Sequence, residues 1–220
     1  MQRIARVAAV AAAAFLATGV TFGLSLASAR AQDGAKPAAP ADGKKADAKV
    51  VIPFFGNAKC PIQGKAINPT KYVEADGQRA YFCCGGCVTK AKADPKAAIA
   101  SAYKEPKAVG NKKCPVSGHA IDDKGKEVTW QGQKVMLCCG DCVEPFNKSP
   151  FLYTTAAVYG AEDLKNKNCP VMKVLEGEDE ASDPSTLAVY QGKIVRLCCS
   201  ECVPKFEESP DKFMGALSGK

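Results

Sequence analysis

Sulfur dominates the chemistry this chain could perform. Nine of its twelve cysteines fall in three copies of C-C-x-x-C: Cys83-Cys84-Gly85-Gly86-Cys87, Cys138-Cys139-Gly140-Asp141-Cys142 and Cys198-Cys199-Ser200-Glu201-Cys202. The other three, Cys60, Cys114 and Cys169, each stand upstream of one copy and are followed by proline. Three chemistries suit such a pattern. Thiolates bind zinc and soft cations such as Cu(I), and a cysteine turn plus a cysteine pair at a strand-to-helix junction would gather sulfur from distant segments. Cysteines of an exported chain also form structural disulfides, although adjacent cysteines do not easily bridge one another. C-x-x-C is, finally, the pattern of thiol–disulfide exchange, but no thioredoxin-like βαβ context surrounds these copies. The period-preserved C-C-x-x-C favours metal binding, with a disulfide-stapled structural or interaction repeat as the alternative and an oxidoreductase third.

The elements that must position the sulfur repeat with it. Cys60 to Cys114 is 54 positions and Cys114 to Cys169 is 55, so three units of about 55 residues are expected. Units this small bury too little surface to be stable without metal, disulfides or neighbours. Each opens Asn-x-x-Cys-Pro, at Asn57, Asn111 and Asn166. Cys-Pro followed by Ile62-Gln63-Gly64 or Val116-Ser117-Gly118 predicts a tight turn that points sulfur and backbone N–H groups at one spot, whereas Val171-Met172-Lys173 departs from it. Asp76-Gly77, Gln131-Gly132 and Gln191-Gly192 predict hairpin turns, each with its Gly six positions before the first Cys of the pair. Alternation then places Ala80 and Phe82, Val135 and Leu137, and Val195 and Leu197 on the core face. The first Cys of each pair faces away; Cys84, Cys139 and Cys199 stay open between a fourth ligand and a small buried hydrophobe. A helix is expected after the last Cys, with Ala91, Phe146 or Phe206 on its inner face. A second helix begins at Pro95, Pro150 and Pro210, capped by Asp94, Ser149 and Ser209. Tyr153 and Phe213 would close the core, and acidic Glu176 to Asp183 reads as a solvated loop.

Cys60-x22-Cys83-x3-Cys87 resembles the Cys-x19–22-Cys-x3-Cys pattern of the TRASH and YHS family of small treble-clef-like heavy-metal modules. Cys114-x23-Cys138-x3-Cys142 is one residue over that range, and Cys169-x28-Cys198-x3-Cys202 departs furthest. The likeness runs from about Asn57 to the C-terminus. It implies an α+β fold of three tandem modules, each of knuckle, β-hairpin and two short helices. It also implies metal binding without catalysis, and it assigns Cys83, Cys138 and Cys198 as ligands. All twelve cysteines are carried as candidate metal residues, with Zn(II) or Cu(I) as cofactor, up to one per module.

Outside the repeats, Met1 to Ala31 predicts an export signal: Arg3 and Arg6, an Ala-rich apolar run, and Ala29-Arg30-Ala31 for cleavage. An uncleaved anchor is the alternative, since the run is long enough to cross a bilayer. Residues 32–49 form an Ala/Lys/Pro tether; modules are expected over 50–105, 106–160 and a divergent 161–220. Val50 to Phe55 is expected to pack on the first unit or enter it as a strand. A periplasmic or secreted location follows, with metal ions as partners and another envelope metal-handling protein as a further one; a membrane contact requires the uncleaved segment. The net charge of +7 falls to about +4 without the leader arginines, and no basic block interleaved with aromatics points to nucleic acid. His119 is the single histidine, and no Ser-His-Asp arrangement is read around it. His119 reads as solvent-facing or packed in preference to a ligand, and Met172 as a turn residue in preference to a thioether ligand.

Overall fold

Each of the three turn dipeptides folds as the sequence dictates. Asp76 and Gly77 have φ of 50° and 69°, Gln131 and Gly132 44° and 69°, Gln191 and Gly192 48° and 70°. Two consecutive residues at positive φ give a turn whose twist matches that of the strands it joins, and glycine in the second place relieves half the strain. The structure, a computed structural model, describes residues Lys49–Ser218. The export signal and nearly all of the tether lie outside these residues. The fold is mixed α/β, built of small sheets and short helices. Strands β1 (Asn68–Ala75) and β2 (Gln78–Phe82) form the first hairpin, followed by α1 (Gly85–Ala91) and α2 (Pro95–Ala102). Strand β3 (Lys107–Ala108) precedes the second hairpin, β4 (Lys126–Trp130) and β5 (Gln133–Leu137), and then α3 (Val143–Lys148) and α4 (Pro150–Tyr159). The third set is β6 (Glu162–Asp163), α5 (Pro170–Leu175), β7 (Leu187–Tyr190), β8 (Lys193–Arg196), α6 (Cys202–Glu208) and α7 (Pro210–Ser218).

The alternation places its apolar residues where expected. Ala80, Phe82, Val135, Leu137, Val195 and Leu197 are all fully buried, and Ala91, Phe146 and Phe206 meet them from the first helix of each pair. Tyr153 stacks on Phe146 at 6.3 Å and Phe213 on Phe206 at 6.0 Å, closing the second and third cores. The first core has Ala91 and Ile99 instead of an aromatic pair. The helices start earlier than the sequence suggests. Helix α1 begins at Gly85, a 3-10 turn spans Gly140–Cys142, and α6 begins at Cys202, so the last cysteine belongs to helical backbone. Asp94 caps α2 by accepting from the Ala97 N–H at 2.9 Å. Ser149 occupies the same position before α4, but its side chain makes no capping bond.

Val50 to Phe55 behaves differently from the expectation. Instead of packing only on the first unit, it runs across all three. Val50 enters the third core, and Val51 pairs antiparallel with Val189 through bonds of 2.9 and 2.8 Å. Phe55 enters the second core, 6.1 Å from Trp130 and 5.9 Å from Phe151, while Phe54 lies 5.1 Å from Tyr81 of the first. The reason is the free outer edge of β7, which an apolar extended segment covers. Further ties join neighbours. The Trp130 indole donates to the Gly77 carbonyl at 3.0 Å, and the Gln131 N–H donates to Gln78 Oε1 at 3.0 Å. β3 adds parallel to β5, and β6 to β8, so each of these sheets takes its third strand from the chain that leads into it. Phe55→Ala is expected to cost about 3 kcal/mol, in the range for a buried phenylalanine. Denaturant titration followed by the fluorescence of Trp130, the single tryptophan, measures it. A loss under about 1 kcal/mol would show that the segment merely lies on the surface.

Candidate metal centre

A backbone loop closes around each upstream cysteine. In the first unit the Cys60 N–H donates to the Lys65 carbonyl and the Gly64 N–H to the Cys60 carbonyl, both at 2.8 Å; Cys114 with His119 and Gly118 repeats these bonds at the same lengths. Gly64 and Gly118 adopt φ of 67° and 77°, which a side chain would strain. The third unit lacks this glycine and forms helix α5 instead. Its longer, largely exposed acidic segment then returns, so that the Cys169 N–H donates to the Glu180 carbonyl at 2.7 Å. Glu180 thus takes the place of Lys65 and His119. The extra residues leave and rejoin without displacing the cysteine.

Three asparagines fix that loop against the return strand of the hairpin. Asn57 Nδ2 donates to the carbonyls of Lys59 at 2.8 Å and Tyr81 at 2.9 Å, and its Oδ1 accepts from the Tyr81 N–H at 2.8 Å. Asn111 does the same with Lys113 and with both backbone groups of Met136, at 2.9, 2.7 and 3.0 Å. Asn166 repeats it with Asn168 and Arg196, at 2.9, 2.7 and 3.0 Å. Tyr81, Met136 and Arg196 each stand two residues before the first Cys of a pair. Reading the sequence registered the recurring Asn-x-x-Cys-Pro but gave the asparagine no role; its threefold recurrence was the available signal.

These supports bring three sulfurs together in every unit. The Sγ atoms of Cys60, Cys83 and Cys87 lie within 4.8 Å of one another, as do those of Cys114, Cys138 and Cys142 and those of Cys169, Cys198 and Cys202. The third unit is therefore assembled as well as the others despite its longer spacing. The edge between the first and last Cys of the motif is 3.8 Å for Cys83 and Cys87, 3.7 Å for Cys138 and Cys142, and 3.5 Å for Cys198 and Cys202. None of the twelve cysteines is in a disulfide. Cys84, Cys139 and Cys199 stand outside the triads, yet each sulfur is 3.7 Å from that of the last cysteine. Cys84 is exposed, so the buried-hydrophobe reading fails for it, whereas Cys139 and Cys199 are half-buried against the second and third cores. Cys84 and Cys139 are still extended, at N-cap positions just before the helical turns, but the paired strands end at Phe82 and Leu137, so the alternation of the strand no longer fixes their side.

The surroundings grade the thiols. Burial pushes the Cys60 thiol up, but the N–H groups of Cys83, Gln63 and Ile62 more than offset it and leave the pKa at about 7. For Cys114 burial is again the largest influence; the Ser117 hydroxyl and the N–H groups of Cys138, Ser117 and Val116 overcome it and bring the value to about 6. Cys169 is lowered in the same manner, burial being outweighed by the Met172 and Cys198 N–H groups. Burial dominates at the other end of the site, raising Cys87 and Cys142 to about 12 and Cys198 to about 11. Each unit so combines a buried thiolate-forming cysteine with thiols that hold their protons. Ser117 Oγ lies 3.2 Å from Cys138 Sγ, and Gln63 Oε1 3.7 Å from Cys83 Sγ. Met172 packs half-buried on the third core, and His119 is exposed and belongs to no triad.

Comparison with known families, curated proteins and solved structures found no match for this chain. What the site itself defines is a class: three clusters of cysteines that could hold a metal ion. Ser117→Ala removes the side-chain donor to Cys114, so the Cys114 pKa is expected to rise by about one unit, since a hydrogen bond to a charged group contributes about 1.5 kcal/mol or more. Titration of the metal-free protein followed through labelled cysteine Cβ resonances reads the shift. An unchanged Cys114 would mean that backbone groups alone set it.

Proposed function

We propose that this is an exported, non-enzymatic metal-binding protein that sequesters Cu(I) or Zn(II), or hands it over, through three Cys triads. The observation that carries this reading is the threefold recurrence of one sulfur geometry. Tetrahedral thiolate coordination with metal–sulfur bonds of about 2.3 Å requires sulfur–sulfur edges of about 3.8 Å. The edges of 3.5 to 3.8 Å across the motif agree with that, and a disulfide of about 2.05 Å does not. Thiolate donors suit Zn(II) and Cu(I) and disfavour hard cations. Three sulfurs leave a coordination position through which an ion can be passed to or from another envelope protein, an arrangement better suited to transfer than a closed four-ligand cage. The resemblance to TRASH and YHS modules, with their treble-clef-like knuckle and hairpin, supports the same reading. The leader would place the protein in the periplasm or outside the cell.

Chain purified reduced and anaerobically is expected to bind close to three equivalents of Zn(II), one for each of Cys60/83/87, Cys114/138/142 and Cys169/198/202; elemental analysis after gel filtration gives the number. Fewer than one equivalent, with all thiols oxidised by mass spectrometry, would replace this reading by a disulfide scaffold. Binding must also displace protons. Near pH 7 Cys60 is about half ionised while Cys83 is raised and Cys87 sits at about 12, so forming the triad expels two or more protons. Acid therefore competes with the metal. The affinity of a Zn(II) site should fall roughly a hundredfold between pH 8 and 7 and more steeply below, where Cys60 is protonated too, as measured by competition with a chelator whose own pH dependence is known.

A further inference from the structure

Four sulfurs, not three, belong to each unit, and their arrangement is not that of a four-sulfur cage. In the second unit Cys138, Cys139 and Cys142 form a nearly equilateral triangle with edges of 3.8, 3.7 and 3.7 Å. Cys114, Cys138 and Cys142 form another, within 4.8 Å. The two triangles share the Cys138···Cys142 edge. Cys139 is close to both ends of that edge and stands outside the triad that includes Cys114. The third unit repeats the pattern, with edges of 3.6, 3.5 and 3.7 Å among Cys198, Cys199 and Cys202. In the first, the corresponding edges to Cys87 are 3.8 Å from Cys83 and 3.7 Å from Cys84.

A tetrahedral ion needs all six sulfur–sulfur edges near 3.8 Å, whereas the short edges here group the sulfurs as two triangles. A three-coordinate ion needs only a triangle; with bonds of about 2.3 Å its edges are about 4.0 Å. Two such triangles hinged on one edge fit two three-coordinate ions bridged by the two shared thiolates. Cu(I), a soft monovalent cation well served by three thiolates, meets this requirement. A Zn(II) pair would leave both ions one ligand short of the tetrahedral coordination that zinc takes. The two triangles also differ in access. The inner sulfurs Cys60, Cys114 and Cys169 are at most 1% exposed, whereas Cys84 is open to solvent and Cys139 and Cys199 are half-buried. A Cβ placed on Gly85, Gly86 or Gly140, beside the outer triangle, would meet nothing within 4 Å. The outer triangle is thus approachable by a donor or acceptor.

We infer that each unit is a dinuclear Cu(I) site, an inner ion in the buried triad and an outer ion on the C-C-x-x-C triangle, with the middle cysteine as the outer ion's own ligand. This rests on the reading of the triads as metal sites. Loading displaces to solvent whatever protons the four thiols of a unit still hold and leaves two Cu(I) ions on four thiolates, a net charge of two minus; copper stays monovalent and no sulfur is oxidised. The middle cysteine has no counterpart among the inner ligands, which explains why it recurs as faithfully as they do.

Anaerobic titration of the reduced chain with Cu(I) against a chromogenic Cu(I) chelator tests this. The expected end point is six equivalents, falling to three in the triple variant Cys84→Ser, Cys139→Ser, Cys199→Ser, while Zn(II) stays at three equivalents in both. An end point of three Cu(I) in the parent chain, with Zn(II) also at three, overturns the dinuclear site and leaves the triads standing as metal sites. Failure to bind either metal overturns the reading of the triads themselves. Should the variant not fold, X-ray absorption on the parent chain loaded to six equivalents decides the matter: a short copper–copper path is expected, and its absence overturns the proposal.

Discussion

The structure depends on one side-chain contact made three times. Each knuckle cysteine and the cysteines it must meet are more than twenty residues apart, on a loop and on a strand end, and the asparagine clamp holds the two together. Asn57, Asn111 and Asn166 each satisfy both backbone groups of the residue opposite, so the strand is gripped at one register. A net hydrogen bond is worth about 1 kcal/mol, and losing a partner leaves buried groups that cost more. The clamp's geometric effect exceeds its energy. Slipping the strand by one residue would turn both apolar positions out of the core and carry the first cysteine away from the knuckle.

The sulfurs also belong to the cores they serve. Cys60 and Cys87 are core residues of the first unit, Cys114 and Cys142 of the second, Cys169 and Cys202 of the third. Each core is small, and the first has no aromatic pair on its helices. That deficit is met from outside: Val50 and Phe55 enter the third and second cores, and Trp130 reaches back to the first hairpin. Leu152 of α4 packs with Leu187, Val189 and Ile194 of the third sheet. Three units that would be marginal alone consequently share surface, which is how repeats of this size become stable.

Much of this was legible in the chain, for reasons that can be named. Turn dipeptides, alternation and the Pro-led helices are local signals with a fixed period, and the period repeated three times. The hairpins, the buried faces and the convergence of Cys60 with Cys83 and Cys87 follow from them. The path of Val50 to Phe55 did not, because an apolar run declares only that it will be buried. Its partner was the free edge of β7, nearly 140 residues downstream. The middle cysteine stayed open between two readings because its orientation depends on where the helix begins. Strand alternation had ended one residue earlier. The third unit's spacing departs furthest from the family pattern, yet spacing counts residues and not distance; α5 and the return at Glu180 restore the same backbone bond to the cysteine.

The graded thiols join folding to metal binding. N–H groups converge on the knuckle sulfur and favour its charged form, while the last cysteine lies where burial disfavours charge. A fully ionised triad without a cation would place three negative charges within 4.8 Å in a core, which no array of N–H groups here could balance. The metal-free unit therefore keeps protons on the very sulfurs that a cation would strip. A cation that neutralises them also ties a loop, a strand end and a helix start in a core too small to hold them firmly. Binding free energy then becomes stability in proportion to how far the metal concentration exceeds its dissociation constant. The sulfur that would contribute least to this tie is the middle one, outside the buried triad. On the dinuclear reading proposed above, it would exchange an ion while the inner triad keeps the unit folded.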